Sequence, residues 1–174
     1  QTNEVLELLT GLQNLTIIRG NHDEEVLKAF RHISSEVTGP EHDHHVWVAE
    51  HLDPVYEEYL AALPLTQTRE AGGKKILLTH YHLESDDTYT PIDLAPSVAS
   101  LAPIYRNGDH DIILFGHDHM RHHFEHDHQL FLNPGALGVT STAYAPYMII
   151  QIEDDGAVHI THRNVHYDRQ AFIN

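Results

Sequence analysis

The sequence predicts an α/β fold built around a parallel, helix-covered sheet. Three short apolar runs rich in β-branched residues, over 15–19, 75–79 and 111–116, alternate with stretches of helical periodicity. That alternation is the pattern of strands joined by helical crossovers. Each run also ends in residues that can bind a metal. The first leads into Gly20-Asn21-His22-Asp23, the second into His80-Tyr81-His82 and the third into Gly116-His117-Asp118-His119. In an open α/β sheet, ligands bind beyond the carboxyl ends of the strands.

Taken in order, Asn3 can cap a first helix with Val5, Leu6, Leu8, Leu9 and Leu12 as its apolar face. Residues 15–19 read as a buried strand. A second helix follows over 24–33, where Glu24 and Glu25 suit the positive end of the helix dipole. Gly39-Pro40 breaks the chain. Residues 43–62 are helical again, with a fresh start at Asp53-Pro54. A strand over 65–69, a turn at Ala71-Gly72-Gly73-Lys74 and a strand over 75–79 make a hairpin. A polar loop over 84–90 leads to a helix over 91–105, interrupted at Pro96 and Pro103 and stopped by Asn107-Gly108. After the strand at 111–116 the chain turns all-β. One hairpin pairs 122–125 with 129–133 and a second pairs 147–152 with 157–162. With no internal repeat and no low-complexity linker, residues 1–174 read as a single domain.

Composition narrows the function. The chain has 174 residues, 41% of them hydrophobic, enough for one globular core. Asp and Glu number 26 against 10 Lys and Arg, a formal charge of −16. Such a surface repels duplex nucleic acid and anionic membranes. A phosphate-bearing substrate would need local positive charge, and metal ions are the ready source. The absence of cysteine excludes disulfides, thiolate metal sites and cysteine nucleophiles, and fits a cytoplasmic protein. No apolar run approaches membrane-spanning length, and the first residues lack the pattern of a signal peptide.

Eighteen histidines make any single one a weak signal. Position relative to the strands separates them. Asn21, His80 and His117 each follow a strand-like run, and His119 lies two residues past His117. Amide oxygen plus imidazole nitrogen suits manganese, iron, nickel, cobalt or zinc better than magnesium or calcium. The competing reading of each is a surface or capping residue. His22 beside Asp23 has the form of a carboxylate-oriented general acid, whose alternative is a plain helix cap formed by Asp23. His42 to His45, and His122, His123, His126 and His128, follow no strand end in the parallel part and read as solvent-exposed. Asn133-Pro134-Gly135 reads as a turn.

These motifs, in this order, resemble those of the calcineurin-like metallophosphoesterases. The nearest likeness is to the small bacterial phosphodiesterase branch that includes enzymes similar to diadenosine tetraphosphate hydrolases. The matching pieces are Gly20-Asn21-His22-Asp23, Leu78-Thr79-His80, Gly116-His117-Asp118-His119 and Asn133-Pro134-Gly135. The resemblance implies a four-layer α/β/β/α sandwich and a two-metal site hydrolysing phosphodiesters or nucleotides. Asn21, His80 and His117 would bind one ion, His119 the other, and His22, held by Asp23, would be the general acid. The family pattern places an Asp-x-His strand end and a Gly-Asp strand end ahead of the residues that Gln1-Thr2-Asn3 resemble. The chain therefore reads as an amino-terminally truncated member, short of a strand–helix–strand unit of at least ~30 residues. On that reading the site is partial or empty and hydrolysis by this chain is impaired. A homo-oligomer covering the truncated face is also expected. The alternative function is a catalytically silent scaffold or interaction protein of the same fold.

Overall fold

A computed structural model describes residues 1–139, 142–168 and 170. Its contacts cluster in two compact units, Gln1–Thr66 and Gln67–Asn174.

The first unit is helical. It holds α1 (Thr2–Gly11), α2 (Asn21–Phe30), α3 (Pro40–His51), a 3₁₀ turn (Pro54–Tyr56) and α4 (Glu57–Ala61). Its core is Leu6, Val26, Leu27, Ala49, Leu52 and Leu60, with Phe30, Val48, Tyr56 and Tyr59 packed around them. Pro40 opens α3, where its missing N–H and fixed φ cost nothing. Asp53 caps the next turn by accepting a hydrogen bond from Val55 N at 3.0 Å.

Three expectations change here. Gln1, not Asn3, is the N-cap of α1. Asn3 lies inside the helix and spans to the end of α3, donating to His51 O and accepting from Asp53 N, both at 2.9 Å. Of the apolar face expected on α1, only Leu6 is buried, while Val5, Leu8 and Leu12 stay exposed. Among the described residues, 15–19 join no ladder. Leu15 is exposed and 16–19 are half-buried. Arg19 N donates to Pro64 O at 2.8 Å. An apolar, β-branched run favours extended backbone, but a strand exists only where a neighbour accepts its hydrogen bonds.

The second unit carries the sheet. Its strands are β1 (Thr66–Ala71), β2 (Lys74–Thr79), β3 (Ile112–Leu114), β4 (Arg121–His126) and β5 (Gln129–Pro134), in the order β1-β2-β3-β5-β4. β2, β3 and β5 run parallel, with Leu78 opposite Leu114 and Leu114 opposite Leu132. β4 returns antiparallel to β5. This is a mixed sheet with a parallel centre. The central strands are buried on both faces, so Ile112, Ile113, Phe131 and Leu132 are fully buried. One face packs on Tyr81, Leu101 and Phe115. A separate antiparallel pair, β6 (Tyr144–Ile152) and β7 (Val158–His166), completes the unit.

The connections follow local chemistry. Gly72 and Gly73 turn from β1 to β2 at φ 53° and 73°. A Cβ on Gly72 would lie 2.4 Å from Ile152 Cγ2, so that position needs glycine for space as well as for φ. The helix expected over 91–105 shrinks to α5 (Val98–Tyr105). Proline disfavours helical backbone in the residue before it, and Ser97 supplies the cap, accepting from Ser100 N at 3.3 Å. Pro103 stays within the helix.

Ile113 is fully buried at the centre of the sheet, whereas Ile149 of β6 is 40% exposed. Ile113→Ala is expected to cost about 2–5 kcal/mol, against under ~1 kcal/mol for Ile149→Ala. Urea denaturation of both variants measures the difference. Equal losses would mean that the parallel centre does not carry the core.

Candidate metal centre

β2 and β3 run parallel and in register, so their carboxyl ends lie side by side. His80 is the residue after β2, and Gly116-His117 stand just past β3. Gly116 N donates to His80 O at 2.9 Å, which ties the two loops together at the point where the imidazoles emerge. His80 Nε2 and His117 Nδ1 lie 3.2 Å apart. Two nitrogens bound at ~2 Å to one tetrahedral ion would sit roughly 3.3 Å apart. The pair therefore has chelate spacing, and its donor chemistry suits a borderline transition ion.

The loop holding His117 is strained. His117 has φ 72° and His119 φ 61°. Left-handed backbone is uncommon outside glycine, and at a functional site it persists only when the surroundings enforce it. The enforcing group is Asp118, which is buried between the two histidines. Its Oδ1 accepts from Met120 N at 2.9 Å and from Asn133 Nδ2 at 2.7 Å. Its Oδ2 faces His122 Nε2 at 2.7 Å. Asn133 is fully buried, donates also to Gly116 O at 3.3 Å and accepts from Gly135 N at 2.9 Å. Where the sequence suggested a turn, Asn133 and Pro134 are the last residues of β5 and the positive φ falls at Gly135, 89°; Asn133 braces the metal-ligand loop from the strand end.

Aromatic rings collar the pair. Tyr89 stacks on His117 with centroids 5.9 Å apart and meets His80 edge-on at 5.6 Å. Tyr81 is buried against His117 at 4.9 Å. Behind them, His82 Nδ1 meets Tyr105 Oη at 2.5 Å. Burial pushes the His82 imidazole down to about 4, so it is neutral at pH 7 and structural in character.

The remaining expected site residues distribute as follows. His119 is exposed. Among the described residues it does not join His80 and His117 in a cluster of three ligands. Asn21 is the first residue of α2, in the helical unit, with His22 next to it. Asp23 caps that helix, accepting from Gly20 N at 2.8 Å. It therefore takes the capping role, and the ring partner of His22 is His45, with Nδ1 and Nε2 2.7 Å apart. The geometry is that of helix starts generally: the third residue reaches back to the cap, leaving the second free to point outward.

Three histidines read as exposed are not, and the first of them, His42 on α3, is half-buried. His45 is 2% exposed, and burial followed by the neighbouring His22 ring pushes its imidazole below the usual range. His122 is half-buried, paired with Asp118 and stacked on Phe115 and Phe124. A sequence signal existed for His45, because Glu41 and His45 are four apart in a helix that Pro40 opens. For Asp118 none existed beyond its place inside Gly-His-Asp-His. His123, His126 and His128 are exposed, as expected.

Residues 1–155 match the calcineurin-like phosphoesterase superfamily domain, and the chain belongs to that superfamily. No curated protein matches it in sequence. Among solved structures, a hypothetical protein from Pyrococcus horikoshii OT3 superposes with a TM-score of 0.78 at 17% identity, covering 97% of this chain and 69% of that one. A metallophosphoesterase from Sphaerobacter thermophilus gives 0.64 at 20%, covering 97% and 73%. Vacuolar protein sorting 29 from Cryptosporidium parvum gives 0.51 at 21%, covering 95% and 77%. At these identities the likeness is one of fold, and the fold is the metallophosphoesterase fold. Among the described residues no helix is long and apolar enough to cross a membrane.

Asp118→Ala leaves buried Asn133 and half-buried His122 without their shared acceptor, and each lost partner costs about 1–3 kcal/mol, the less for His122. Glu125→Ala on exposed β4 is expected to stay within about 0.5 kcal/mol of the parent. Thermal and urea unfolding of the two variants compare them. A neutral Asp118→Ala would remove Asp118 as the brace of the loop.

Proposed function

We propose that this chain is a metal-dependent phosphoesterase that acts on phosphodiesters or nucleotides. The observation that carries the reading is the 3.2 Å approach of His80 Nε2 and His117 Nδ1 in a loop bent through two left-handed residues. Membership of the superfamily supports it, and His80 and His117 are among the residues through which the sequence resembles the family. Asn21 and His119 are proposed as further ligands from the same motifs, for up to two ions among manganese, iron, nickel, cobalt and zinc.

A divalent ion held there supplies Lewis-acid polarisation of a phosphoryl oxygen and neutralises its charge. The chain's own contribution is orientation. Asp118 and Asn133 fix the loop, so His117 presents Nδ1 without a rotamer search. Tyr81 and Tyr89 shield the rings from water on their flanks. His22 is proposed as the proton donor to the departing oxygen. It is exposed, and its ring is held at Nδ1 by His45, which leaves Nε2 available for transfer.

His117→Ala and His80→Ala are each expected to weaken manganese or zinc binding by more than ~10-fold, and to remove metal-dependent turnover of bis(p-nitrophenyl) phosphate, whatever its size in the parent. Unchanged metal affinity in both variants would overturn the site. A chain that binds the ion yet turns over no phosphate ester would be the silent scaffold instead.

His22→Ala is expected to lower turnover by roughly 10²–10⁴ for esters with poor leaving groups, and little for p-nitrophenolate, which departs without a proton. Equal losses on both classes would remove His22 from the proton-donor role.

A further inference from the structure

The helical unit contains a second cluster of metal-type side chains, away from the His80–His117 pair in sequence and built by its own two helices. Among the described residues, His22, Glu41 and His45 place one ligand atom each within 4.8 Å of one another. Glu41 and His45 are four residues apart on α3, so they leave the same face of the helix, one turn above the other. α2 packs on α3, and His22, the second residue of α2, faces them from its amino-terminal turn. Nothing in the superfamily motifs accounts for Glu41 or His45.

His45 is the most informative member. Its ring is 2% exposed, yet its Nδ1 has no hydrogen-bond partner among the described residues. Nδ1 is not the nitrogen that faces the cluster; what His45 brings to it is a buried, positionally fixed ring whose Nε2 meets His22. The single contact, His22 Nδ1 to His45 Nε2 at 2.7 Å, has hydrogen-bond length. An ion between the nitrogens needs them roughly half an ångström further apart, at ~2 Å each. His22 is exposed and can give that movement by a small rotation, and Glu41 is exposed and can swing its carboxylate in.

We propose that His22, Glu41 and His45 form a zinc-type site: one divalent transition ion held by two imidazole nitrogens and one carboxylate oxygen, with a fourth position open. Two nitrogens with one carboxylate is a borderline donor set, which selects zinc and its neighbours over calcium and magnesium. The single carboxylate gives a local anionic partner, and the net charge of −16 raises the cation concentration around the chain.

The test measures binding first, in a background that cannot turn over substrate. In the full chain carrying His80→Ala and His117→Ala, zinc alone is titrated in competition with a chromophoric chelator. One tight equivalent per chain is expected. Glu41→Gln and His45→Gln should each weaken it at least tenfold, while His126→Ala with His128→Ala, on the exposed β4–β5 turn, should leave it unchanged. Circular dichroism reports folding, and Glu41, being exposed, keeps the test valid where replacement of buried His45 disturbs the helices. Absence of a tight equivalent, or binding indifferent to Glu41→Gln, overturns the site. A failed phosphoesterase reading leaves this binding result untouched.

Discussion

The structure of the metal-ligand loop depends on one carboxylate. Asp118 is buried, and its two oxygens accept from Met120 N, Asn133 Nδ2 and the His122 ring. Those partners come from the loop itself, from the end of β5 and from β4. The carboxylate therefore clamps the loop after β3 to the two strands beside it. Left-handed backbone at His117 and His119 costs of order 1–3 kcal/mol each, and the clamp offsets that cost. What the strain obtains is direction. An ordinary continuation of β3 would carry the side chains alternately to the two faces of the sheet. The bend instead turns His117 along the strand end, toward His80 on the neighbouring strand.

The same logic explains why the aromatic and polar layers are arranged as they are. His80 and His117 sit against Tyr81 and Tyr89, on the edge of the core formed by Leu101, Ile113, Phe115 and Phe131. Packed rings leave each imidazole few rotamers, so the 3.2 Å spacing is set before any ion arrives. His82, two residues beyond His80, is buried against Tyr81, Tyr105 and Phe115, where burial keeps it neutral. One His-Tyr-His triplet thus divides into a candidate ligand and a core residue, which an unbroken strand would have placed on one face; β2 ends at Thr79, and the chain bends at His80 and Tyr81.

Much of this was legible in the sequence because it depends on local pattern. The parallel centre follows from the apolar runs at β2 and β3, the β4–β5 and β6–β7 hairpins from their turns, and His80 and His117 from their place after strands. The parts that were not legible depend on tertiary partners. Residues 15–19 have strand composition, but no described ladder accepts them. Asn3 has the chemistry of a cap, but the end of α3 offered it two bonds instead of one. Asp23 was ambiguous between ring holder and cap, and helix geometry decided for the cap. His45 looked like one more histidine in a polar run until α2 covered it. Asp118 is read in sequence as a spacer between two ligands, and only the fold reveals what it holds.

The central claim is that His80 and His117 act as one chelate. Long-range ¹H–¹⁵N correlation of the imidazole side chains, followed during a zinc titration, tests it most directly. The account predicts that His80 Nε2 and His117 Nδ1 move together to metal-bound shifts, at one shared affinity, while His126 and His128 lag behind. Separate affinities for the two nitrogens, or coordination of His117 through Nε2 with His80 unchanged, would contradict it.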